Sequence, residues 1–145
     1  MGRLSLVLVA ALALSAPAAA GRYERAGLAI DVPAGWTTVQ KPLSVCTNPV
    51  QRLALRGHGA LVQIVESLDY AYVDRFPARP RRFALGGSAR YVACCPPREA
   101  KGWFLSFRDG NRAFYAYVYL GQLGTRDQVL RILDSLRVEA RRAPA

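Results

Sequence analysis

Hydrophobic positions change period along this chain, and each change marks a different kind of element. Residues 4–16 form an almost unbroken apolar run, followed by Pro17 and three alanines. From residue 28 onward, short alternating stretches take over. Residues 28–32 and 36–39 predict two strands around Pro33-Ala34-Gly35, a tripeptide with turn chemistry. Residues 51–56 and 60–68 predict a hairpin across Gly57-His58-Gly59, and residues 90–95 a further strand ended by Pro96-Pro97. The alternation is clearest near the C-terminus. Trp103, Leu105 and Phe107 alternate with Phe104, Ser106 and Arg108, and Phe114, Ala116, Val118 and Leu120 alternate with Tyr115, Tyr117 and Tyr119. Asp109-Gly110-Asn111 between them supplies the positive-φ residues of a tight hairpin. The loop falls either at Asp109-Gly110 or at Gly110-Asn111, and both placements keep the same faces together.

The period then lengthens. Val129, Ile132, Leu133 and Leu136 recur at helical spacing, with Arg131, Asp134 and Ser135 opposite, which predicts an amphipathic helix with one buried face. Thr125-Arg126-Asp127-Gln128 opens it as a capping box, and Asp127 suits the positive end of the helix dipole. Residues 135–139 end the helix and return a short strand to the sheet. Residues 70–76 predict one or two helical turns, stopped by Pro77 and Pro80. The fold class is therefore α+β, a mainly antiparallel sheet of about six or seven strands with the C-terminal helix packed on at least one face.

Gly27-Leu28-Ala29-Ile30-Asp31-Val32-Pro33-Ala34-Gly35-Trp36 at the start and Ile132-Leu133-Asp134-Ser135-Leu136 at the close make the chain resemble the PsbP-like α/β/α sandwich group, which includes many small exported bacterial domains. The resemblance covers the two ends of the region after residue 20. It implies a sandwich fold and a binding or accessory role, and it brings no catalytic motif to place on these positions. Cys46 and Cys94-Cys95-Pro96-Pro97 lie outside it.

Arg3, the apolar run and the Ala18-Ala19-Ala20 site have the form of a secretory signal peptide over residues 1–20, cleaved before Gly21. The run is shorter than the roughly 20 residues that span a bilayer, and Pro17 interrupts it. The expected organisation is one domain over residues 21–140 and a frayed tail over 141–145, secreted or held at the cell envelope, with no transmembrane segment after signal removal. Loss of Arg3 leaves 19 of the 20 basic groups against 10 acidic ones, a net charge of about +9. Nearly all the basic residues are arginine. That charge favours weak, salt-sensitive attraction to anionic partners, and an envelope protein or an anionic surface polymer is the expected kind of partner. Nucleic acid is not, because no recognition motif accompanies the charge and an exported protein seldom meets it.

Export makes the three cysteines disulfide candidates. A bridge from Cys46 to Cys94 or Cys95 closes a loop worth roughly 4 kcal/mol in the chain-entropy model. Neighbouring residues of a strand point to opposite faces, so only one of the pair faces Cys46, and the other is left as a buried or reactive thiol; a strained vicinal Cys94-Cys95 ring is the alternative pairing.

Chemistry is sparsely signposted. His58, the single histidine, sits between glycines at a hairpin tip with no nucleophile or orienting acid spaced near it. Gly86-Gly87-Ser88-Ala89-Arg90 lacks the nucleophile-elbow form, and no phosphate-cradling glycine loop or metal-ligand spacing occurs. Asp31, Glu66, Asp69 and Asp74 are scattered. No cofactor and no metal is expected. Two surfaces stand out. Arg75, Arg79, Arg81 and Arg82, stiffened by Pro77 and Pro80, form a candidate anion-docking loop. Tyr115, Tyr117 and Tyr119, with Phe104 and Tyr91 as neighbours, form either an exposed binding face or a sheet underside covered by residues 70–76. These features point to an exported non-enzymatic binding or accessory domain. The rival classes are a small secreted enzyme using a free cysteine or dispersed acids, and a basic protein that associates with anionic envelope polymers.

Overall fold

A computed structural model describes residues 19–43, 46–87, 101–121 and 126–141 of the chain, the side chains of 19 and 20 excepted. Within them the architecture is mostly antiparallel sheet with one short α-helix. Strands β1 (Ala19–Arg25), β2 (Leu28–Pro33), β3 (Trp36–Thr38), β4 (Val50–Gly57) and β5 (Ala60–Ser67) precede a 3-10 helix, Tyr70–Arg75. Then come β6 (Trp103–Asp109), β7 (Arg112–Tyr119), the helix α1 (Arg126–Asp134) and β8 (Arg137–Val138).

The alternating stretches that fall within the described residues fold where their pattern places them, but into two sheets rather than one. β1-β2-β8 form a three-stranded sheet and β3-β4-β5-β7-β6 a five-stranded one. Both contribute to a single apolar cluster. Leu28 and Ile30 of β2, Leu55 of β4, Ile64 of β5, Phe107 of β6 and Phe114 of β7 are all no more than 1% exposed within it. Val129, Ile132 and Leu133 of α1 and Leu136 beyond it join the same cluster, so the helical stripe is its buried face. Phe107 and Phe114 face each other in register, their rings stacked 5.5 Å apart. Burying each such side chain contributes roughly 1.5–3 kcal/mol.

Turn chemistry sets the register. In the C-terminal hairpin Asp109 pairs with Arg112, which places the loop at Gly110-Asn111 with Gly110 at φ +59°. A glycine at positive φ in the first loop position is the II′ arrangement. The β4–β5 loop is shorter than the glycine spacing suggested. Gly57 pairs with Ala60, leaving His58 and Gly59, both at positive φ, as a type I′ turn. Within residues 70–76 the 3-10 helix covers Tyr70–Arg75, Phe76 is extended ahead of Pro77, and residues 137–138 return to β2.

β1 is the element that hydrophobic patterning does not announce. Arg22, Glu24 and Arg25 are exposed on an edge strand, and β1 is fixed by pairing with β2 across the Ala26-Gly27 turn, with φ at +53° and +72°. Arg141, the first residue of the expected tail, is held by two hydrogen bonds to Asn111, and its guanidinium lies 4.1 Å over the Tyr70 ring. The signal segment before residue 19, the strand expected at 90–95, Cys94, Cys95, Tyr91 and Thr125 of the capping box lie outside the described residues. Among the described residues no helix is long and apolar enough to cross a membrane.

Candidate functional site

The four arginines of the proline-stiffened loop do not converge on one anion cradle. Arg79 is engaged within the fold. Its backbone N–H donates to Arg108 O, while Pro77 O accepts from Arg108 N, both at 2.8 Å. Its guanidinium pairs with Asp109 at 2.9 Å and lies 5.6 Å over the Phe83 ring. Arg75 instead stacks over Tyr72 at 4.3 Å, and Arg81 and Arg82 stand exposed. The extended backbone that proline imposes separates residues that are close in sequence.

The tyrosine stripe is mostly covered. Tyr117 and Tyr119 are only 4% and 5% exposed and cluster with Leu61 and Val65, with Leu43 packed alongside. They lie on the second face of the five-stranded sheet, opposite the main core. Tyr115 is the half-buried member, with the ring of Phe76 at 5.0 Å and that of Phe104 stacked at 4.9 Å. The exposed-face alternative thus reduces to Tyr115 and its neighbours.

Tyr115 and Phe76 line a cleft of about 350 Å³ together with Ser67, Asp69, Tyr72, Arg75 and Ser106, and Phe104 stands just outside that lining. Several short-range rules position it. Ser106 and Tyr115 are opposite each other in the β6–β7 register, which sets the hydroxyl of one beside the ring of the other. Ser67 ends β5, and its Oγ accepts a hydrogen bond from Asp69 N–H, turning the chain into the 3-10 helix that carries Tyr72 and Arg75. Phe104 and Tyr72, at 45% and 48% exposed, are two of the three large exposed hydrophobic side chains among the described residues, and the third, Tyr70, is on the same 3-10 helix. Burial, and then the nearby Asp69 charge, push the Tyr115 hydroxyl up, so it remains a donor. Ser67, Phe76 and Ser106 were not signposted, because separate segments contribute them. The alternation placing Phe104 and Tyr115 on one face was the usable signal.

A second polar constellation lies inside the molecule. Glu66, 1% exposed, accepts from Arg112 Nε at 2.8 Å and Nη2 at 2.9 Å, and also from Arg52 Nε. The remaining Arg112 donors reach Gly27 O, Glu139 O and Ala26 O at 3.2, 3.3 and 3.0 Å. Every nitrogen of that guanidinium is engaged, which makes it a clamp between the sheets rather than a reactive group. Burial alone would raise the Glu66 carboxyl, but hydrogen bonds and charge from Arg112, then Arg52, outweigh it and hold the group below its usual range.

The other residues singled out remain dispersed. His58 folds back onto the Pro33–Trp36 turn, its Nε2 3.4 Å from Ala34 O and its ring 6.5 Å from Trp36. Cys46 is half-buried before β4. No group of three or more His, Cys, Asp or Glu that would hold a metal occurs among the described residues. What the aromatic cleft offers chemically is flat apolar rings edged by hydroxyls, one carboxylate and one guanidinium, a set suited to recognition. No protein-family model, curated protein or solved structure matches the chain.

Proposed function

We propose that this chain is an exported, non-enzymatic binding or accessory domain of the bacterial cell envelope, with a PsbP-like sandwich fold, and that it binds through the cleft between the 3-10 helix and strands β6 and β7. The observation that carries the reading is the gathering of exposed aromatic residues at that cleft. Phe104 and Tyr72 remain open to solvent beside half-buried Tyr115 and Phe76, with Arg75 stacked over Tyr72. Tyrosine and arginine supply much of the energy of known recognition surfaces, because they combine large contact area with hydrogen-bonding ends. A disulfide from Cys46 to Cys94 or Cys95 belongs to the same proposal, and the expected export to an oxidising compartment supports it.

Export is tested by expressing the full chain in a bacterial host, fractionating the cells and measuring intact mass before and after reduction and alkylation. The reading expects an extracytoplasmic protein lacking Met1 to Ala20, with one bridge and one thiol. A cytoplasmic protein that keeps its first twenty residues overturns it. Binding is tested in the same cells with a photoreactive benzophenone placed at Phe104 and, separately, at Arg137 on the small sheet. Adducts formed from position 104 but not from 137 support the cleft, and their absence from 104 counts against it.

A further inference from the structure

The chemistry of the cleft narrows its ligand. Its lining holds one carboxylate, Asp69, and one guanidinium, Arg75, so the charges offset and the site makes no demand for a charged partner. The other arginines of the loop do not alter this balance, because Arg79 is paired with Asp109 and neither Arg81 nor Arg82 lines the cleft. Ser67, Ser106 and the protonated Tyr115 hydroxyl both donate and accept, Arg75 donates, and Asp69 accepts. Phe104 lies beside this mixed set, stacked on the lining residue Tyr115 with an interplanar angle of 21° and nearly half exposed.

Resting on the reading of the cleft as a binding site, we propose that its ligand is a neutral saccharide unit of an envelope glycan, its C–H face laid at the cleft's edge on the exposed ring of Phe104, which stacks on Tyr115, and its hydroxyls bonded by Asp69, Arg75, Ser67 and Ser106. A pyranose ring has an apolar face of axial C–H groups and an edge of hydroxyls that each donate and accept. Both halves of that description have a counterpart in the lining. The volume of about 350 Å³ lies at the lower end of ordinary ligand pockets, suited to a ring-sized ligand rather than to a long chain. An acidic peptide fits less well, since it would set carboxylates against Asp69.

Titration calorimetry of the full chain with tri-N-acetylchitotriose and with maltotriose tests this, with polygalacturonate and an oligo-glutamate peptide as charged comparisons. At least one neutral trisaccharide should bind, with an affinity little changed between low and high salt. Phe104→Ala and Tyr72→Ala should each weaken it by about tenfold or more, a loss of roughly 1.4 kcal/mol per factor of ten. Both side chains are about half exposed, so the variants should still fold, which thermal denaturation checks, although Phe104 gives up its contacts with Tyr115 and Tyr117. Phe104→Leu, which keeps bulk but loses the flat ring, should also lose binding, whereas Arg81→Gln and Arg82→Gln should not. The proposal fails if neither trisaccharide binds, if binding survives both aromatic substitutions, or if only the charged probes bind and salt abolishes that binding. The benzophenone experiment separates its failure from that of the site. A glycan adduct at position 104 supports the saccharide, a protein adduct keeps the site but overturns the saccharide, and no adduct together with no trisaccharide binding to the unsubstituted chain overturns both.

Discussion

Arg112 on β7 and Glu66 on β5 meet as a two-point ion pair, Nε to Oε1 at 2.8 Å and Nη2 to Oε2 at 2.9 Å, with both side chains almost wholly removed from water. Through the same guanidinium the five-stranded sheet holds the Ala26-Gly27 turn between β1 and β2 and the Glu139 carbonyl just past β8. One residue therefore ties the larger sheet to the β1–β2 turn and to the end of β8 in the smaller one. Gly27 belongs to this arrangement, because a Cβ there would come within 2.9 Å of Arg112 Nη1.

Glu66→Gln should be strongly destabilising, because it leaves a buried guanidinium without its counter-charge. Removing one partner of such a pair typically costs about 3–5 kcal/mol, which for a domain of this size lowers the melting temperature by roughly 10 °C or more. Thermal denaturation followed by circular dichroism measures it. A variant that melts with the parent would show that the clamp contributes nothing net.

The same pair sets an acid limit. The Glu66 carboxyl is held below its ordinary value of 4.5, so the unfolded chain takes up this proton at a higher pH than the folded one. Its contribution to stability is therefore complete above about pH 4.5 and is lost progressively as pH falls through the lower folded value. Urea midpoints of the parent should decline on acidification through this window, whereas those of Glu66→Gln, lower throughout, should decline less. Parallel pH profiles would rule Glu66 out as the source.

Gly35→Val should damage the fold near the Pro33–Trp36 turn. Gly35 sits at φ +79°, and a Cβ there would lie 2.5 Å from His58 Nε2. The left-handed backbone costs an L-residue about 1–2 kcal/mol before any clash is counted. Adding His58→Ala should recover the steric part and leave the backbone part, so the double variant should melt between the single Gly35→Val variant and the parent. Full recovery would mean that backbone strain at this turn is negligible.

Much of this fold is legible in the chain because a strand side chain has only two directions to point. The alternation from Trp103 to Leu120 assigns Phe107 and Phe114 to one face and Phe104 and Tyr115 to the other, and the structure agrees. Alternation does not say what covers a face, which is why the tyrosine stripe was open to two readings until Tyr117 and Tyr119 were seen buried. β1 is illegible for a related reason. Arg22, Glu24 and Arg25 take strand form from their partner in β2, not from their own preferences. The arginine loop misleads in the opposite direction, since density along the chain is not convergence in space. Arg79 is spent on Asp109, while Arg75 serves the cleft. Ser67, Asp69 and Ser106 become neighbours of Tyr115 only after β5, β6 and β7 have paired, and no local pattern carries that information.

The proposed disulfide makes a prediction that also settles its partner. Bridging Cys46 to the Cys94-Cys95 pair closes a loop whose loss should cost roughly 4 kcal/mol in the chain-entropy model. Cys46→Ser and reduction of the parent should then destabilise the protein to similar degrees. Of Cys94→Ser and Cys95→Ser, only the one that removes the bonded sulfur should match Cys46→Ser, because neighbours in the strand expected at residues 90–95 would point to opposite faces. Guanidinium denaturation of the three variants, with thiol counting on each, reads both the cost and the pairing. If Cys94→Ser and Cys95→Ser each left stability and thiol count consistent with an intact bridge, the two thiols would be interchangeable and the single-facing geometry would be wrong.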